Sequence, residues 1–159
     1  MPAIDERILE GDTLAVLLTS PTAVTPEDSS VQAQLLWRCF DDLGEGIVWD
    51  ERTSSLLWTD INGCRLQKLD LKNGRASTYE VSRCVGSLGL LSTAGTAESL
   101  PLLLAWKDGF QLYDLEKEKA LSEMSTGEPV NPEKGKTRLN DGRVDPTGCR
   151  FVCGGYYGT

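Results

Sequence analysis

The chain has 159 residues, 40% apolar and 25% charged, which is the composition of a folded globular protein and not of a disordered one. With 24 acidic against 16 basic residues its formal charge is -8, which argues against nucleic-acid backbones and anionic membranes as partners, although an acidic surface also serves simple solubility. It contains no histidine, so Ser-His-Asp, Cys-His and imidazole-metal chemistry are excluded and any catalysis falls to carboxylates, Asn, Arg, Lys or a metal.

The N-terminal part holds one short apolar run, Leu14-Ala-Val-Leu-Leu18, preceded by Asp5, Glu6, Glu10 and Asp12. Those flanks lack the basic region of a signal peptide, and no segment is long enough to span a bilayer. Pro21-Thr-Ala-Val-Thr-Pro-Glu-Asp-Ser-Ser30 reads as a linker, so residues 1–30 are expected to form a flexible extension and residues 31–159 the folded domain. From there short apolar runs alternate with turn signals, at 33–37, 46–49, 56–59, 65–69, 77–81, 87–91, 102–106 and 110–113. Strands are expected throughout, with no long helical period.

Two segments echo one another. Leu43-Gly-Glu-Gly-Ile-Val-Trp-Asp50 and Arg138-Leu-Asn-Asp-Gly-Arg-Val-Asp145 each set polar side chains ahead of a Val/Asp turn and an apolar strand. A second echo joins Leu57-Trp-Thr-Asp-Ile-Asn-Gly-Cys-Arg-Leu66 to Leu104-Ala-Trp-Lys-Asp-Gly-Phe-Gln-Leu112. Four strands per unit at a period of roughly 40–50 residues is the pattern of a β-propeller, against the competing reading that turn spacing recurs by chance in any β-rich chain. In a propeller the leading strands of the blades converge on one axis, which would bring Glu45 and Asn140 to one end of a channel as oxygen donors for a hard cation. The local alternatives are that Asn140-Asp141-Gly142 is only a hairpin turn and Glu45 only a solvated loop residue. Trp58 and Trp106 are expected in the blade cores.

The five cysteines, Cys39, Cys64, Cys84, Cys149 and Cys153, are an odd number without a Cys-x-x-Cys pair. They are expected to be free thiols in a reducing, cytoplasmic compartment, with Cys149 and Cys153 as small buried residues on one strand face.

On these residues the chain resembles the regucalcin family, also called the senescence marker protein, gluconolactonase and luciferin-regenerating enzyme family. Leu43-Gly-Glu-Gly-Ile-Val-Trp-Asp50 with Leu57-Trp-Thr-Asp-Ile61 is similar to its opening motif, with Ile47 where proline is usual; Arg138-Leu-Asn-Asp-Gly-Arg-Val-Asp-Pro146 is similar to its second. The resemblance implies an all-β, partial six-bladed propeller of about two and a half blades. It implies Glu45 and Asn140 as metal ligands and Arg138 and Asn140 as substrate contacts, with the family's remaining ligands and its base Asp beyond Thr159 and no catalytic residue within the chain. The implied cofactor is a divalent cation, Ca²⁺ first, with Zn²⁺, Mg²⁺ or Mn²⁺ as alternatives.

The implied reaction is hydrolysis of a sugar lactone, a small-molecule substrate, with neither nucleic acid nor membrane as partner. As an N-terminal fragment the chain is expected to bind Ca²⁺ weakly, to turn over lactone little or not at all, and to self-associate through its open edge. Organophosphates are a related substrate class on the same fold. The competing function is a non-enzymatic propeller segment that binds calcium or a partner protein.

Overall fold

Runs of β-branched, aromatic and leucine residues, cut by Asp, Asn and Gly, leave little but short strands joined by tight turns. In the computed structural model, which describes residues 15–18, 33–91, 98–125 and 137–157, every regular element is a strand. Two units are distinguished, Met1–Asp41 and Asp42–Thr159. The first contains β1 (Ala15–Leu18) paired antiparallel with β2 (Ala33–Trp37). Apart from β1, the expected flexible extension lies outside the described residues.

The second unit is built from repeated antiparallel meanders. Strands β3 (Gly44–Asp50), β4 (Ser55–Asp60), β5 (Arg65–Asp70) and β6 (Arg75–Glu80) form one four-stranded sheet. Strands β7 (Val85–Leu90), β8 (Pro101–Trp106), β9 (Gly109–Asp114) and the short β10 (Lys119–Ala120) form a second. Strands β11 (Thr137–Val144) and β12 (Phe151–Tyr157) form a two-stranded ribbon. Two complete blades and the leading ribbon of a third make this a partial β-propeller. The eight strands expected from the apolar runs correspond to β2 through β9. The Asn140-Asp141-Gly142 segment is not a hairpin turn: it lies inside β11.

The core consists of leucines from both blades. Leu57, Leu66, Leu88, Leu100, Leu102, Leu104 and Leu115 are buried together with Val85 and Trp106. Each such side chain contributes roughly 1.5–3 kcal/mol by leaving water. Trp58 and Trp106 are buried, as expected for blade-core residues. No helix among the described residues is long and apolar enough to cross a membrane.

Aspartates lock the turns. Asp50 accepts from the Arg52 amide at 3.1 Å, Arg52 Nε at 2.8 Å and Thr53 Oγ1 at 3.0 Å. Asp60 accepts from the Leu43 amide at 3.0 Å, the Gly63 amide at 3.1 Å and Arg65 Nε at 3.0 Å. Asp114 accepts from Ser99 Oγ at 2.6 Å and the Leu100 amide at 2.9 Å. Burial pushes each of these carboxyl groups up, but the hydrogen bonds outweigh it and hold all three below the usual carboxylate range, Asp114 at about 2. Asp145 does the same work for the β11–β12 turn, accepting from Thr147 Oγ1 at 2.8 Å, the Cys149 amide at 3.0 Å and the Arg150 amide at 3.1 Å. The Asp50–Asp145 echo in the sequence is therefore a repeated turn lock. Cys149 belongs to that turn and is exposed, while Cys153 is half-buried in β12, so the two are not a buried pair on one strand face. All five thiols are free.

Candidate functional site

The three leading strands share one irregularity. β3 breaks register with β4 between Glu45 and Val48, β7 with β8 between Val85 and Ser87, and β11 with β12 between Leu139 and Gly142. A bulge bends its strand and re-aims the side chains beside it, and such bulges are common next to binding sites. Gly46, at φ 65 within the first bulge, occupies the left-handed region that glycine adopts without strain. Glu45, paired with Thr59, is the last residue before the break in β3, and Asn140 is the first residue within the break in β11, so each sits at a bulge.

β7 packs against both β3 and β11. Its glycines allow the close approach. A Cβ on Gly86 would stand 2.3 Å from the Leu139 carbonyl oxygen and 2.9 Å from Asn140 Cα. Facing it, a Cβ on Gly142 would stand 2.7 Å from Ser87 Oγ, and on the other side one on Gly46 would lie 3.8 Å from Ser87 Cα. Ser87 is fully buried between these strands, and its hydroxyl donates to the Asn140 carbonyl at 2.7 Å. The Cys153 thiol donates to the same carbonyl at 3.5 Å.

Asn140 is thus held by its backbone while its side chain is engaged separately. Arg138 Nη1 donates to Asn140 Oδ1, and the guanidinium sits 4.8 Å from the centroid of the Tyr156 ring. Hydrogen bonding and the cation–π contact together fix the planar fork of Arg138 beside Asn140. Glu45 is half-buried and, among the described residues, makes no ion pair. The structure therefore joins Arg138 directly to Asn140 and ties the strands of Glu45 and Asn140 to one intervening strand.

A carboxylate and a carboxamide are hard oxygen donors, the type Ca²⁺ and Mg²⁺ take. No group of three His, Cys, Asp or Glu residues able to hold a metal occurs among the described residues. The donors fit such a cation in kind but are fewer than the roughly six to eight oxygens of a calcium shell. Ser87 and Tyr156 were not visible as site residues from the sequence. The one signal for Ser87 was the small-residue cluster Val85-Gly-Ser-Leu-Gly-Leu90, where only small side chains let three strands meet.

Residues 43–156 match the SMP-30/Gluconolactonase/LRE-like region. The chain belongs to this family. It is 37% identical over 112 residues to 6-deoxy-6-sulfogluconolactonase of Pseudomonas putida, a match covering 70% of this chain and 35% of that protein. Against L-arabinolactonase of Azospirillum brasilense it is 32% identical over 123 residues, covering 77% of this chain and 37% of that one. Among solved structures it superposes on regucalcin, a calcium-binding protein of Agrobacterium tumefaciens, with a TM-score of 0.58 at 24% identity, covering 74% of this chain and 36% of the other. The chain spans about a third of the length of the relatives it matches.

Proposed function

We propose that this chain supplies the N-terminal part of the active site of a divalent-cation-dependent sugar-lactone hydrolase. The observation that carries the reading is the joint placement of Glu45, Arg138 and Asn140 on bulged leading strands packed against β7, within a chain whose relatives are named for lactone hydrolysis. When bound, a divalent cation polarises a carbonyl and lowers the pKa of a water molecule. Glu45 would give that cation a charged oxygen and Asn140 a neutral one. Donation of Asn140 Oδ1 to a cation would release the Arg138 hydrogen bond, leaving a guanidinium still stacked on Tyr156 and able to grip a substrate oxygen with its fork. Ser87 and the Cys153 thiol keep the Asn140 backbone in place throughout.

With only two protein oxygens, this segment is expected to bind Ca²⁺ weakly on its own. Titration of the chain with Ca²⁺, followed by calorimetry, should show saturable weak binding that Glu45→Gln abolishes. Hydrolysis of gluconolactone, followed by acid release, is expected to be slight or absent for this segment alone; any turnover should need the cation and stop with chelator and with Glu45→Gln. Turnover that survives both would remove Glu45 and the cation from the reaction. Cation binding that depends on Glu45, without sugar-lactone turnover even in a longer protein that carries this segment with further blades, would favour a calcium-binding segment.

A further inference from the structure

Cys64 closes the β4–β5 turn with φ 52, and its carbonyl accepts from the Val81 amide at 2.9 Å. That hydrogen bond fastens the link between the first and second blades to the turn. Three residues later Cys84 leads into β7, and its own carbonyl accepts from the Lys107 amide at 3.0 Å. Backbone hydrogen bonds thus hold both cysteines, and their sulfurs lie 3.4 Å apart. No other two cysteine sulfurs are in contact among the described residues. Both side chains are half-buried, within reach of a small oxidant.

We propose that Cys64 and Cys84 are a dithiol site that forms a reversible disulfide, stapling the first blade to the leading strand of the second. The oxidant is a low-molecular-weight disulfide such as oxidised glutathione. One cysteine thiolate attacks it to give a mixed disulfide and one glutathione thiol. The second cysteine then loses its proton and attacks the protein-bound sulfur, which expels the second glutathione. Two protein thiols and one oxidised glutathione become one protein disulfide and two reduced glutathiones. Burial, and then the hydrogen bond shared with Cys84, raise the Cys64 thiol, so the exchange is expected to quicken as pH rises. Because Cys84 leads directly into Gly86 and Ser87, the bond would fix the strand against which Asn140 is held.

The test is to equilibrate the whole chain with oxidised and reduced glutathione, quench with acid, alkylate and map tryptic peptides. Cleavage after Arg65 and Arg83 releases the two cysteines on different peptides. Expected are a Cys64–Cys84 cross-linked pair, alkylation of Cys39, Cys149 and Cys153, and loss of the cross-link with dithiothreitol. Oxidation should raise the melting temperature of the unsubstituted chain by about 5 °C, and of Cys64→Ser and Cys84→Ser not at all. Five alkylated cysteines under oxidising buffer, a cross-link between another pair, glutathione adducts without a cross-link, or an equal thermal shift in the serine variants would each overturn the proposal.

Discussion

The two complete blades and the β11–β12 ribbon open with the same kind of bulged strand but are stabilised differently. In the blades the turn aspartates Asp50, Asp60 and Asp114 are buried, and β4, β5, β7 and β8 add leucines to one core. In the ribbon Asp145 makes equivalent hydrogen bonds at the surface, and β12 exposes Val152, Tyr156 and Tyr157 at 67%, 49% and 54%. Most of the site's chemistry nevertheless sits on the ribbon. The blades thus provide a rigid floor, and the ribbon depends on its packing against β7 to place Arg138 and Asn140.

Core truncation should separate the two regions most strongly. Leu104→Ala is expected to cost about 2–5 kcal/mol in urea unfolding, and Val152→Ala no more than about 0.5 kcal/mol. Equal losses would mean that the ribbon shares the blades' core. Next comes the junction itself: Gly86→Ala puts a methyl group into the Leu139 carbonyl and should cost about 1–3 kcal/mol while loosening β11 from β7. Faster hydrogen exchange in β11, with the amides of β4 and β5 still protected, would confirm it.

Asp114→Asn should cost about 2 kcal/mol through its lost charge-assisted hydrogen bonds, and Asp145→Asn clearly less. The same contrast governs acid stability. Asp50, Asp60 and Asp114 have folded-state pKa values below the unfolded value, so their contribution is complete above about pH 4 and is lost as pH falls through the folded values, for Asp114 at about 2. Thermal melts from pH 5 downward should therefore lose stability between about pH 4 and 2, less steeply in Asp114→Asn. The smallest effect on folding is expected for Glu45→Gln, within about 0.5 kcal/mol, although the proposed function has it abolish cation binding.

Much of this was legible in the chain. The alternation of short apolar runs with turn residues marked β2 through β9, because a strand's two-residue period and its turn chemistry are both local properties. The matched motifs at Glu45 and Asn140 marked two of the leading strands, β3 and β11. β10 was not visible, since two residues carry no period. Asn140-Asp141-Gly142 carries a turn signature that its packing overrides: pairing with β12 and contact with β7 hold it as a bulge inside a strand.

The sequence alone determined the family, the all-β class and the residue types that could bind a cation or an anion-like oxygen, because these follow from motif chemistry and local periodicity. Tertiary structure alone decided that Ser87 pins the Asn140 backbone, that Arg138 rests between Asn140 and Tyr156, and that Cys64 meets Cys84. Each of those contacts is set by where separate strands pack and where their register breaks. Pairing across a sheet and between sheets is fixed by volume and hydrogen-bond satisfaction in the assembled core, and no single segment carries that information.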